Sequence, residues 1–378
     1  MYSRLLKKPL ETNQSFFLFG PRGTGKTTWL KNQLKNSIYL DLLKPNLYQE
    51  LLAHPENLTN FITHENSWII LDEIQKIPML LNEVHRLIEA KNYRFILTGS
   101  SARSLRKKGT NLLAGRALLF HLYPLTVLEL QTDFDLKKSL NYGHLPMVFK
   151  TKNPKEFLES YVQAYLKEEV LQEGLTRNIG NFFRFLEVAS FSQGSVLSIS
   201  EVAREAKVER KVVEGYFQIW EDLLIARRLP VFTKKAKRRL INHQKFYFFD
   251  VGVYRTIRPH GILDNAEEID GSALETLFLQ ELTALNDYFG FDYQIFYWRT
   301  ASQLEVDFVL YGPKGFIAIE IKRSRAVHSK DMHSLKAFAE DYPEAQLYLF
   351  YGGSEQQKID DINVIPIEDA LKNLGAYL

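Results

Sequence analysis

The chain has 378 residues, 45% of them apolar and 25% charged, with a formal net charge of +3 and no cysteine. That length exceeds one ordinary core and predicts two or three domains, while the near-neutral balance leaves a nucleic-acid partner only a local basic patch to meet. The lack of cysteine excludes a disulfide framework and thiolate-ligated zinc and fits a reducing compartment.

The N-terminal stretch MYSRLLKKPLETNQSFFLF has no long apolar core behind its basic residues, and no apolar run approaches eighteen residues. A soluble, cytoplasmic protein with no membrane partner is expected. SFFLFGPRGTGKTTWLKNQL then reads as a short buried strand, a glycine-bearing loop and a helix that begins near Gly25. Gly20, Pro21, Arg22, Gly23, Thr24, Gly25, Lys26 and Thr27 satisfy GxxxxGKT, with Thr28 next in the helix. Glycines let the backbone approach anionic phosphate, and loop and helix N–H groups converge on it. ATP is the expected ligand, with Lys26 on its β and γ phosphates and Thr27 holding Mg2+.

SWIILDEIQKIP is a four-residue apolar run ending in two acids, the pattern of a buried parallel strand whose C-terminal end faces a ligand crevice. Asp72 is expected to bind Mg2+, and Glu73 to polarise the attacking water. YRFILTGSS ends in hydroxyls; Ser100 or Ser101 could sit beside the γ-phosphate or simply cap a helix. NLLAGRALLFHLYPLT places Arg116 before another strand, where it could complete the ATP site of a neighbouring copy in a homo-oligomer. Arg103 and Arg106 compete for that role.

These stretches, with QKFYFFDVGVYR and YWRTASQLEVDFVL further on, resemble the prokaryotic family of AAA-type ATPases that join a P-loop module to a C-terminal region of unassigned function. The resemblance spans the whole chain. It implies an ATPase fold and site and leaves the biological role open. One departure is that Thr98 and serines end the sensor strand where better-known AAA enzymes carry asparagine.

Residues 126 to about 180 are mostly helical by pattern and read as the ATPase lid. From NFFRFLEVASF to RRLPVF the order is helix, loop, helix, tight turn, longer helix and strand, a helix-turn-helix with an appended wing. Arg227, Arg228, Lys234, Lys235, Lys237, Arg238, Arg239 and Lys245 accumulate there with no acid between Asp222 and Asp250. Such a patch suits DNA, or RNA, through phosphate contacts. A solvated edge hairpin or a protein-docking surface has the same composition.

Near the C-terminus, YQIFYWRT, EVDFVLYG and GFIAIEIKRS read as three strands, preceded by the helix GSALETLFLQELTALNDYF. Alternation puts Glu305 and Asp307 on one face and Glu320 with Lys322 on one face of the next strand. Glu275, Asp307 and Glu320 could hold a divalent metal while Lys322 orients water, as metal-assisted phosphodiester hydrolysis requires. Asp307, Glu320 and Lys322, with Glu275 on the leading helix, resemble the PD-(D/E)xK nuclease core. The same acids could instead pair with Lys322, Arg323 or Arg299 as salt bridges.

The expected fold is α/β, in three segments: a P-loop AAA-like ATPase over 1–130, a helical lid and winged helix over 131–256, and a nuclease-like domain over 257–378. The expected function is an ATP-hydrolysing ATPase that acts on or docks to nucleic acid. The competing reading is an ATP-switched regulatory module with an inactive nuclease-like fold.

Overall fold

The computed structural model describes residues 2–64, 67–100, 105, 113, 115–166, 168, 179–234, 238–240, 243–261 and 264–378. Ser101, Arg103, Arg106, Lys235 and Lys237 lie outside them. The chain forms two compact units, Met1–Leu125 with Asp222–Ile225, and Thr126–Glu221 with Ala226–Leu378. The two later sequence segments therefore share a unit almost in full.

In the first unit, strands β1 (Ser15–Phe19), β2 (Ile38–Asp41), β3 (Trp68–Asp72), β4 (Arg94–Gly99) and β5 (Ala117–His121) form a parallel sheet ordered β2-β3-β4-β1-β5. The central strands are apolar runs because helices cover both faces of such a sheet. Phe17, Phe19, Leu71 and Leu97 pack with Val84 and Leu87 of helix α3 (Leu80–Lys91) into one core. Helix α1 (Lys26–Gln33) starts directly after the glycine loop, and α2 (Pro45–Ala53) follows β2. Since β4 separates β1 from β3, the loop after β1, the acids ending β3 and the hydroxyls ending β4 all open on the carboxyl edge of the sheet, where α/β folds bind ligands.

The second unit begins with helices, among them α4 (Leu136–Tyr142). Helices α5 (Ile179–Ser190), α6 (Ile199–Ala206) and α7 (Arg210–Asp222) lead into the antiparallel hairpin of β6 (Ala226–Leu229) and β7 (Lys245–Phe248). Phe185 packs against Phe217 and Trp220 with ring centroids 5.0 and 4.6 Å apart, and Trp220 meets Phe246 of β7. Helices α8 (Val251–Ile257) and α9 (Ala266–Phe289) follow.

The meander β8 (Gln294–Arg299), β9 (Glu305–Gly312) and β10 (Gly315–Lys322) comes next, then α10 (His333–Asp341) and β11 (Gln346–Tyr351) parallel to β10. β12 (Gln357–Ile359), β13 (Ile362–Pro366) and α11 (Ile367–Lys372) complete a sheet ordered β12-β13-β11-β10-β9-β8.

The connection between β6 and β7 differs from the expected free wing. Phe232, 1% exposed, enters the core of the six-stranded sheet with Trp298, Val309 and Phe338. Val231 and Leu240 form β-bridges with Tyr297 and Thr300. Apolar residues interleaved with the basic ones cause this, because an edge segment that can bury a phenylalanine gains roughly 1.5–3 kcal/mol by docking.

Candidate nucleotide site and carboxylate cluster

The loop after β1 is shaped by glycine. A Cβ on Gly20 would lie 2.2 Å from the Leu122 carbonyl oxygen, and Gly25 turns into α1 at φ 94°, a conformation that side chains disfavour. The Lys26 ammonium donates to the carbonyls of Gly20 at 2.7 Å and Pro21 at 3.2 Å, folded over its own loop. Thr24, fully buried, donates to the Pro21 carbonyl at 2.9 Å, and Arg4 donates to the carbonyls of Thr24 and Tyr123. Thr28 is exposed on the first turn of α1, and Arg22 is half-buried.

Asp72 is the hub. One carboxylate oxygen accepts from Thr27 Oγ1 at 3.0 Å and from the Tyr39 hydroxyl; the other accepts from Thr98 Oγ1. Burial, and then Asp72 beside it, push the Tyr39 hydroxyl well above its usual range, so Tyr39 stays a donor. Glu73 sits at φ 62°, a strained left-handed conformation for glutamate, and accepts from Gln75 Nε2. Burial raises its proton affinity; Lys26 opposes this and Asp72 adds to it. Gln75 Nε2 also donates to the buried Ser100 hydroxyl at 3.4 Å.

Hydroxyl and carboxylate oxygens 3.0 Å apart are the ligand types Mg2+ prefers, so Thr27 and Asp72 fit that ion. The glycine loop and a lysine that donates to its backbone carbonyls fit an anionic nucleotide, whose phosphates can replace those carbonyls.

Arg116 stands elsewhere. The register aligns Ala117 with Ser15, so Arg116 lies at the amino end of β5, roughly 16 Å along the strands from the phosphate loop. Its guanidinium pairs with Glu89 on α3.

In the second unit, Asp307 on β9 precedes Phe308 and Glu320 on β10 follows its partner Ile319, so the antiparallel register brings the two acids together on neighbouring strands. Asp307 Oδ2 accepts from the Ile321 N–H at 2.8 Å, and Lys322 donates to Glu320 Oε1 at 2.5 Å. Glu275 of α9 accepts from Tyr247 at 2.8 Å, and Arg299 pairs with Glu305 at 3.0 Å. Burial, and then the charge of Asp307, raise Glu275 to about 7, against the pull of Lys245 and Tyr247. The same two causes hold Glu320 well above the carboxylate range, against Lys322.

At the centre is a residue counted only as part of a basic surface. Lys245, 1% exposed, pairs with Glu305 and stands 3.6 Å from Asp307 Oδ1 and 3.8 Å from Glu275 Oε2. Burial alone would lower its affinity for a proton; Tyr247, Glu275, Asp307 and Glu305 together raise it well above the usual lysine range. Among the described residues no group of three or more acids, histidines or cysteines is arranged to hold a metal ion. The expected ligands Glu275, Asp307 and Glu320 instead sit among basic side chains. An ammonium lies against two of the acids, and Lys322 occupies an oxygen of the third.

The basic patch is also partly committed. Arg228 pairs with Glu221, Arg238 with Glu340 and Asp341, and Arg227 donates to Thr283. Lys234 and Arg239 are exposed, with Lys234 over the Tyr311 ring at 4.0 Å.

Sequence reasoning missed Tyr39, Gln75 and Arg4 in the first site and the central position of Lys245 in the second. A signal existed for Lys245: it opens the apolar run KFYFF, and a lysine at the head of a buried strand needs an anionic partner. Tyr39 has no such mark.

Residues 12–131 match a family model described as an AAA domain, and residues 133–262 and 270–370 match two models described as domains of unknown function. Uncharacterized proteins of Mycobacterium tuberculosis and Mycobacterium bovis are each 26% identical over 389 residues, covering 98% of this chain and 84% of their own. One from Methanocaldococcus jannaschii is 23% identical over 343 residues, covering 82% of this chain and 75% of its own. The crystal structure of a protein from Vibrio cholerae, 12% identical, covers 87% of this chain and 94% of that one with a TM-score of 0.24. With the parallel sheet, the AAA match supports an AAA-type P-loop ATPase of the prokaryotic kind. No helix among the described residues is long and apolar enough to cross a membrane.

Proposed function

We propose that the chain binds and hydrolyses ATP in its first unit and uses that cycle to control a docking surface in its second. The observation that carries this reading is the convergence on Asp72 of Thr27, Tyr39 and Thr98, beside a buried Glu73 in a strained turn. Lys26 exchanges its backbone carbonyls for phosphate oxygens. Bound Mg2+ would supply positive charge to those oxygens. Glu73, with a proton affinity raised by burial, takes the proton of the attacking water, and Gln75 fixes its orientation. Ser100 touches the same Gln75 amide, which couples the end of β4 to the base.

Arg116, too far along the sheet to serve its own loop, is assigned to the ATP site of a second copy, which makes the working form a homo-oligomer. Its pair with Glu89 must open for that. Mixing Glu73→Gln and Arg116→Ala chains tests the assignment: restored turnover in the mixture supports it, and simple dilution of activity contradicts it.

The docking surface is read as one for DNA or RNA. Support comes from the helix-turn-helix order of α5 to α7, the exposed Lys234 and Arg239, and a helix, meander, helix and parallel strand in the order of nuclease-like folds. In the cell this is a cytoplasmic task. A second reading, protein docking by an inactive nuclease-like fold, is favoured by one observation: Arg228, Arg238 and Lys245 already hold internal acids. Binding of labelled DNA and RNA across a salt series separates them. Phosphate contact gives affinity that falls linearly with log salt and weakens in Lys234→Ala with Arg239→Ala; no binding at low salt leaves the protein-docking reading.

A further inference from the structure

We infer that Lys245 is a built-in cation that occupies the place of a divalent metal in the carboxylate cluster and pins the β6–β7 hairpin to α9 and β9. The inference is independent of the ATPase reading. A buried cation suits a neighbourhood so rich in acids. Four carboxylates, Glu275, Glu305, Asp307 and Glu320, face three cations, Lys245, Lys322 and Arg299, which leaves one negative charge. That remainder falls on Glu320, whose Oε2 is buried with no hydrogen-bond partner and whose carboxyl is held toward the protonated form by burial and by Asp307. A divalent ion added while Lys245 is in place would overturn this balance and stand a few ångströms from an ammonium, a repulsion the low-dielectric surroundings leave little screened.

The lysine is built in rather than captured. Lys245 pairs with Leu229 across the hairpin, its ammonium lies 5.5 Å from the Tyr297 ring, and the next alternate residue, Tyr247, hydrogen-bonds Glu275. Two residues of one strand thus grip two sides of the cluster. The strand that follows helices α5 to α7 is thereby fastened to the sheet by charge as well as by the burial of Phe232. The cluster keeps the outline of a metal site and works as an electrostatic latch.

The test uses the full chain, free of nucleotide, and Mn2+ as the probe, read by electron paramagnetic resonance and by thermal unfolding. Wild type takes up no Mn2+, and its unfolding midpoint does not respond to the ion. Lys245→Met unfolds several degrees lower, binds one Mn2+ per chain, and regains stability as Mn2+ is added. Lys245→Met with Asp307→Asn shows neither uptake nor rescue. If Lys245→Met does not fold, Lys245→Met with Glu305→Gln loses one anion along with the cation, folds, and still takes up Mn2+. Mn2+ bound by wild type and lost in Asp307→Asn would overturn the inference. So would lysine-free variants that fold but take up no ion.

Discussion

Both candidate sites combine acids with a buried lysine, and they use the lysine in opposite ways. At the phosphate loop Lys26 donates to two backbone carbonyls, neutral partners that the phosphate of the proposed nucleotide would displace, because the ion pair is stronger than the bonds it replaces. In the carboxylate cluster Lys245 rests against three carboxylates, and its release would strand their charges in a buried setting. The first arrangement waits for a ligand; the second has supplied its own. A lysine's meaning therefore lies in what holds it when no ligand is present.

The largest contrast concerns turnover. Glu73→Gln is expected to keep ATP binding while hydrolysis falls by about 10²- to 10⁴-fold, the usual worth of a positioned base. Lys26→Ala is expected to weaken nucleotide binding by about 10- to 100-fold, the loss of one charge-assisted bond. Fluorescent-nucleotide titration and phosphate release read the two separately. Asp307→Asn should leave both unchanged, since its partners are all in the other unit.

Stability comes next. Lys245→Met should cost about 3–5 kcal/mol in denaturant unfolding, the range for breaking a buried pair and leaving its partners charged. The pH dependence follows from the same cluster. Glu275, raised to about 7 from an ordinary 4.5, holds a proton in the folded chain that the unfolded chain has already released. Stability attributable to it is present below pH 4.5 and declines as the pH rises to about 7; Glu320 acts in the same direction. Glu275→Gln should flatten that decline by about 1–3 kcal/mol, as measured by urea unfolding at pH 5 and pH 8.

The smallest effect is at Tyr39. Tyr39→Phe removes one donor from Asp72 and is expected to cost about 0.5–1.5 kcal/mol of stability with a few-fold loss of turnover. No change in either would leave Asp72 positioned by Thr27 and Thr98 alone.

The phosphate loop and the acids of β3 were legible because their chemistry depends on local spacing: one loop, one strand end and one helix start fix them. The shared faces of Asp307, Glu320 and Lys322 were legible for a similar reason, since alternation on β9 and β10 sets them. Their state was not legible. Lys245 is 62 residues upstream of Asp307 and reaches it only through the pairing of β6 with β7 and the docking of Phe232, which period and propensity do not encode. The basic patch misled in the same way. Charge density along the chain counted Arg228 and Arg238 as surface cations, while Glu221, Glu340 and Asp341 take them up in space. The division of the chain also turned on long-range packing, because Val231, Phe232 and Leu240 join the later sheet.

A Mn2+ titration of the full chain, with and without a non-hydrolysable ATP analogue, tests the contrast between the two sites most directly. One bound ion per chain is expected only when the analogue is present, lost in Thr27→Ala and unchanged in Asp307→Asn. An ion bound without the analogue, and lost in Asp307→Asn, would contradict it.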